Sequence, residues 1–212
     1  KVFDSVTGAL LFLLPNPSPA ADDAFGHSVA ISGTRLVVGA YNDGTGAKHA
    51  GSAYVYDLAS GTPTVPVVTL NNPRPAAADY FGYSVAISSA QLLVGAYRND
   101  TGRLADGSAY VYNLNSGTPT APVATLNNPA QGVSYNFGNA VSISGTRAVV
   151  GAYSASTGAL NAGNAYVYDL SSGNPTQPVV TLNNPSPAPN DYFGSSVAIH
   201  GTHVVVGAPG DN

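Results

Sequence analysis

A period of 56 residues constrains this chain more than any other feature. Phe-Gly recurs at Phe25-Gly26, Phe81-Gly82, Phe137-Gly138 and Phe193-Gly194, each pair 56 residues after the last. Gly-Ala-Tyr keeps the same register at 39–41, 95–97 and 151–153, with Gly-Ala-Pro in that place at 207–209. Ala-Tyr-Val-Tyr follows at 53–56, 109–112 and 165–168, and Thr-Leu-Asn-Asn-Pro at 69–73, 125–129 and 181–185. Self-similarity of this kind marks arrays whose units cannot bury their own sheet faces and must stack on one another.

Each copy holds four strand-like runs. In the second copy they are Ser84–Ser88, Gln91–Tyr97, Gly107–Leu114 and Pro122–Asn127. Leu92, Leu93 and Val94 make a nearly continuous apolar run, as in a strand covered on both faces. The third run alternates, with Tyr110 and Tyr112 on one side and Val111 on the other. The fourth ends in Asn-Asn-Pro, which suits a sheet edge because proline withholds a ladder N–H. Helical periodicity is absent. Four antiparallel strands repeated at this length predict an all-β chain, a β-propeller of four-stranded antiparallel blades.

Composition agrees. Only 8% of the 212 residues are charged, against 44% apolar, with 24 Gly and 16 Pro. That is too apolar for disorder and suits short strands joined by tight turns. The net charge is −4 and the basic residues form no run, so no nucleic-acid partner is expected. No apolar stretch approaches the ~20 residues of a transmembrane segment. There is no cysteine, hence no disulfide and no thiolate metal site. The chain opens at Lys1 and reads as a processed chain or an excised piece of something larger.

The motifs carry a family resemblance. Phe81-Gly82-Tyr83-Ser84-Val85-Ala86-Ile87-Ser88, then Leu93-Val94-Gly95-Ala96-Tyr97, then Gly107-Ser108-Ala109-Tyr110-Val111-Tyr112 resemble the FG-GAP repeat. That family forms the propeller head of integrin α subunits and of many bacterial surface proteins. The resemblance implies a propeller, extracellular or cell-surface placement and adhesion-type binding of a protein or glycan ligand. Integrin-type repeats often carry an Asp-rich calcium loop between strands one and two. Here those loops are Ser32-Gly33-Thr34, Ser88-Ser89-Ala90, Ser144-Gly145-Thr146 and His200-Gly201-Thr202, without a carboxylate. Calcium wants six to eight oxygens, so the chain resembles a calcium-free bacterial variant. No metal or cofactor is expected.

The ends read as complementary halves of one blade. Lys1 to Asp4 matches Tyr54 to Asp57, and Leu14 to Pro17 matches Leu70 to Pro73, while residues 193–209 supply strands one and two. The expected organisation is one domain over 1–212: a half blade at 1–17, full repeats at about 18–73, 74–129 and 130–185, and a half blade at 186–212. Four blades are favoured, the fourth completed by the two halves. The alternatives are a slice of a seven-bladed ring, or halves that pair between neighbouring chains.

Residues that recur are read as structural. Phe25, Phe81, Phe137 and Phe193 suit wedges between blades, and Gly26, Gly82, Gly138 and Gly194 suit close backbone approach. Asp23, Asp79 and Asp191 recur two residues before the Phe, with Tyr135 as the exception, and read as turn residues. Function is expected where the repeats disagree, in the strand-two-to-three loops at 42–50, 98–106 and 154–162. The candidate ligand-binding residues are Asn42, Asp43, Lys48, His49, Arg98, Asn99, Asp100, Arg103 and Asp106. Asn99-Asp100-Thr101 is also an N-glycosylation sequon in a loop expected to be exposed.

No catalytic residue stands out. His200 and His203 flank a tight turn, but two histidines without a third ligand fall short of a zinc site. Neither a nucleophile elbow nor a phosphate loop is present. The reading is therefore a non-enzymatic adhesion or ligand-binding propeller. A structural subunit of an extracellular assembly or filament, joined to copies of itself through the end strands, is the alternative. A propeller hydrolase or lyase is the second alternative.

Overall fold

The computed structural model describes residues 1–99, 106–130 and 135–211. It opens with a hairpin, β1 (Val2–Phe3) and β2 (Leu10–Phe12). Three four-stranded sheets follow: β3 (Phe25–Ser32) to β6 (Val68–Asn71), β7 (Phe81–Ser88) to β10 (Ala124–Asn127), and β11 (Val141–Ser144) to β14 (Pro178–Asn183). A second hairpin, β15 (Ser196–His200) and β16 (His203–Gly207), ends it. Every ladder within these sheets is antiparallel, and each sheet runs in simple sequence order from its first strand to its fourth. The first strands, β3, β7, β11 and β15, lie beside one another, so the sheets radiate from a common hub. This is a β-propeller arrangement.

The second strands of the three full sheets, β4 (Arg35–Ala40), β8 (Gln91–Ala96) and β12 (Arg147–Ala152), are buried along almost their whole length. Their apolar runs meet a neighbouring sheet on each face. The cores accordingly lie between blades. Val37, Ala53, Val55 and Leu70 of the first blade pack with Phe81, Val85, Ile87 and Tyr112 of the second. Leu93, Val111 and Leu126 of the second meet Phe137, Ile143 and Tyr168 of the third. The hairpins take part as half blades: Leu14 with Val2 and Phe12 packs on the first blade, and Val149 and Val167 of the third pack on Val197 and Ile199.

The recurring Phe-Gly and Gly-Ala motifs meet across these seams. A Cβ on Gly39, Gly95 or Gly151 would overlap the carbonyl oxygen of Gly82, Gly138 or Gly194 in the next blade. The Ser28 and Ser84 hydroxyls donate to the Gly82 and Gly138 carbonyls, each at 2.8 Å. Adjacent sheets are thus pinned backbone against backbone, with no room for a side chain.

Two expectations change. The first strand of the second blade starts at Phe81 rather than Ser84, because a bulge between Phe81 and Ser84 carries the ladder on to Ala96. Such a bulge absorbs extra residues while keeping the inward alternation of Val85 and Ile87. The joining of the two end halves into a fourth four-stranded sheet is also not seen among the described residues. β1–β2 and β15–β16 form separate two-stranded sheets, each packed on its own neighbouring blade. The first hairpin is closed by a short turn in which the Gly8 N–H donates to the Asp4 carbonyl, in place of the longer connection at 58–67.

Candidate functional site

Antiparallel order puts two sets of connections at one end of the blades: those from strand two to three, and those from strand four to the next blade's strand one. They are stitched together. The N–H groups of Ala78, Tyr80 and Phe81 donate to the carbonyls of Lys48, His49 and Ala50. Asn190, Tyr192 and Phe193 repeat this with Leu160, Asn161 and Ala162. The recurring Asp closes the inter-blade loop from within. Asp79 accepts from the Asn72 amide and the Ala76 N–H, both at 2.7 Å. Asp23 does the same with Asn16 and Ala20, and Asp191 with Asn184 and Ala188.

On this frame the candidate residues divide. Asp43 is buried, accepting from the Tyr54 hydroxyl at 2.7 Å and the Thr45 N–H at 2.8 Å. Burial, and then this bond to Asp43, push the Tyr54 hydroxyl pKa up. Asp106 is buried and accepts from the Asn128 amide at 3.2 Å. In that repeat Tyr135 stands where the bracing Asp would be, and Asp106 supplies the carboxylate from the other loop. Asn99 is only 3% exposed, which corrects the expected exposure of the sequon's asparagine. Its side-chain oxygen accepts from the Ser108 hydroxyl at 3.4 Å. Short polar side chains turn inward here because the loop's own polar groups need partners. Asn42 lies half-buried, its carbonyl 3.3 Å from the His49 ring. Lys48 and Arg98 are exposed, and His49 is half-exposed. Asp100 and Arg103 lie outside the described residues.

The outward-facing members gather around an aromatic cluster. The Tyr83 ring lies 4.4 Å from Tyr97, 4.7 Å from His27 and 5.3 Å from Tyr41. Tyr80 bridges Tyr41 at 5.5 Å and Tyr97 at 5.6 Å, and the Arg98 guanidinium sits 5.5 Å over its ring. The His49 ring lies 6.4 Å from that of Tyr80. Stacked, tilted and edge-on contacts at these distances are favourable ring pairings, and the Arg98 placement is a cation–π contact. Burial first, then Tyr83, hold the Tyr97 hydroxyl up at about 12, so it is a neutral donor across the physiological range. Tyr41 and Tyr97 were visible as parts of the Gly-Ala-Tyr motif. Their meeting with Tyr80, Tyr83 and His27 was not, since it joins different repeat positions across two blades.

A family model described as FG-GAP repeat matches residues 17–56, 72–112, 131–168 and 181–212. The chain belongs to the FG-GAP repeat family. Among solved structures, the FG-GAP chain is similar to the computationally designed Ika4 protein at 16% identity and TM-score 0.58, covering 95% of this chain and 94% of that one. It is similar to the designed Ika8 protein at 17% identity and TM-score 0.53, covering 87% of this chain and 42% of that one. Chaetomium thermophilum Raptor is similar at 16% identity and TM-score 0.51, with 85% of this chain covered and 13% of Raptor. At these identities the likenesses show the fold alone. No curated protein matches the FG-GAP chain.

Among the described residues the site offers ring faces, two exposed cations and neutral hydroxyls, and no assembled acid–base pair. His200 and His203 are cross-strand partners at the far turn. Among the described residues no three His, Asp or Glu are placed to share a metal. Nor is any helix there long and apolar enough to cross a membrane.

Proposed function

We propose that this FG-GAP chain is a non-enzymatic extracellular or cell-surface module that binds a protein or glycan through the face carrying the strand-two-to-three loops. One observation carries the reading. Arg98, Lys48 and His49, none of which recurs, sit with Tyr41, Tyr80, Tyr83 and Tyr97 on the face where the strand-two-to-three loops diverge. Aromatic rings beside arginine make up the composition that dominates binding surfaces. FG-GAP repeats are typical of extracellular ligand-binding propellers, and such propellers are typically non-enzymatic.

The test is binding of the purified chain to arrays of glycans and of immobilised extracellular-matrix proteins, compared with Arg98→Ser/Lys48→Ser and Tyr80→Ala variants. At least one probe is expected to bind, with affinity falling tenfold or more in the variants, about 1.4 kcal/mol. Binding that all the variants keep at full strength overturns the assignment to this face.

A further inference from the structure

A third exposed cation, Arg74, stands in the inter-blade loop at 72–80, where its N–H donates to the Asn72 side chain at 3.0 Å. That loop is bonded to both strand-two-to-three loops beside it. The Ala78 N–H donates to the Lys48 carbonyl at 2.9 Å, and a Cβ on Gly46 would crowd the Pro75 ring. The Arg98 N–H donates to the Asp79 carbonyl at 3.4 Å. Lys48, Arg74 and Arg98 therefore ride on three loops fastened to one another at the seam of the first and second blades.

The repeat shows that the fold does not ask for these charges. At the Arg74 position the other copies have Ser18, Ala130 and Ser186. At the Lys48 position they have Leu104 and Leu160, and at the Arg98 position Asn42 and Ser154. Three repeat positions are thus cationic at one seam and uncharged at the others. They hold three of the seven Lys and Arg of a chain whose net charge is −4, so the positive charge is concentrated rather than scattered. The carboxylates of the same loops are turned inward: Asp43 and Asp79 are 2% and 1% exposed and accept hydrogen bonds from within the fold. Among the described residues Lys48, Arg74 and Arg98 enter no ion pair. What these loops show to solvent there is positive.

The surface beside the cations suits a hydroxylated chain. Tyr41, Tyr80, Tyr83 and Tyr97 are half-buried, so part of each stays open to solvent. Among the described residues, no large apolar side chain is exposed on these loops. The centre of a protein–protein interface is apolar, whereas a pyranose lays its C–H face on an aromatic ring and hydrogen-bonds through the hydroxyls at its rim. Rings without aliphatic neighbours fit a sugar, and three cations beside them fit a sugar that carries negative charge.

We infer that this seam binds an acidic polysaccharide, with its carboxylate or sulfate groups on Lys48, Arg74 and Arg98 and its ring faces on the tyrosines. The inference rests on the proposed function and narrows its ligand to one class.

Binding of the whole chain to polygalacturonate and to dextran sulfate tests this, with methyl-esterified polygalacturonate, dextran and poly-glutamate for comparison. At least one of the two acidic polymers is expected to bind about tenfold or more tightly than its uncharged counterpart and than poly-glutamate. Which of them binds tells carboxylate from sulfate. Affinity should fall about tenfold between about 0.1 M and about 1 M salt, as the screening length shrinks from about 10 to about 3 Å. Arg74→Ser, Lys48→Leu and Arg98→Ser each bring in a residue type that another copy carries, so each should keep the wild-type circular dichroism spectrum and melting temperature. Each is expected to weaken binding about threefold, and the triple variant about thirtyfold. A neutral polymer or poly-glutamate bound as tightly as the acidic polysaccharides overturns the inference, and so does acidic-polysaccharide binding that the triple variant keeps. A neutral glycan or a protein whose binding is lost in Tyr80→Ala but kept in the triple variant overturns the inference alone and leaves the proposed function standing. Absence of binding to every acidic, neutral and protein probe overturns both.

Discussion

Gly95→Ala tests the claim that the blades are locked backbone to backbone. The added methyl would overlap the Gly138 carbonyl oxygen of the next blade and the Ser84 hydroxyl of its own. Neither can yield cheaply: Gly138 is held in a ladder bond to the Gly151 carbonyl, and Ser84 donates to Gly138 at 2.8 Å. Overpacking of a tight contact costs about 1–3 kcal/mol. Displacing the carbonyl also strands a buried acceptor, costing about 1–3 kcal/mol more. A loss of about 4 kcal/mol is expected, which lowers the melting temperature by about 8–16 °C for a chain of this size. The assay is thermal and urea unfolding followed by circular dichroism, at a concentration where the chain is single. Gly207→Ala is the internal control, because it crowds only the Ser196 side chain, which can rotate away. Its cost should stay below about 1 kcal/mol. Equal losses in the two variants, or a Gly95→Ala protein within about 0.5 kcal/mol of wild type, would refute the account of the seam.

Two further outcomes follow from buried polar groups. Asp79→Ala removes the acceptor shared by the Asn72 amide and the Ala76 N–H, and should cost about 2–4 kcal/mol by urea midpoint. An unchanged midpoint would show that the loop does not depend on that carboxylate. The second concerns alkaline pH. Burial holds the Tyr56, Tyr97 and Tyr110 hydroxyls up at about 12, above the ordinary 10. A folded state that keeps these protons longer than the unfolded chain is fully stabilised by them below pH 10 and loses that contribution as pH rises through 12. The urea midpoint should therefore fall over that window, with part of the tyrosinate absorbance appearing late. All tyrosines ionising together near 10 would contradict their burial.

Periodicity made the fold legible because stacking imposes the same demand on every copy. Each blade must offer apolar second and third strands to two neighbours, so Leu92 to Val94 and Leu36 to Val38 carry the same pattern at the same phase. The bulge before Ser84 was not legible, because Phe-Gly marks its position without saying that the ladder resumes beyond it. The separate two-stranded sheets of the first and last hairpins were not legible either. Complementary half blades permit closure within one chain and pairing between chains alike, and the choice rests on the arrangement of the blades about the hub, which no local motif encodes.

The proposed binding face shows the limit from the opposite side. Divergence between repeats pointed to the strand-two-to-three loops, yet divergence does not distinguish a residue freed for binding from one recruited to replace a missing brace. Asp106 is the second kind. It bonds Asn128 in the one repeat where Tyr135 has taken the place of the Asp that otherwise caps the equivalent asparagine. Asp43 is likewise satisfied internally, by Tyr54 and Thr45. Arg98 has neither excuse: its guanidinium lies over Tyr80, exposed, where the fold has no need of a charge. A variable residue is evidence for binding only after its internal bonds are counted, and by that measure the proposed face narrows to Arg98 and Lys48 beside the tyrosines, since the His49 ring already meets the Asn42 carbonyl.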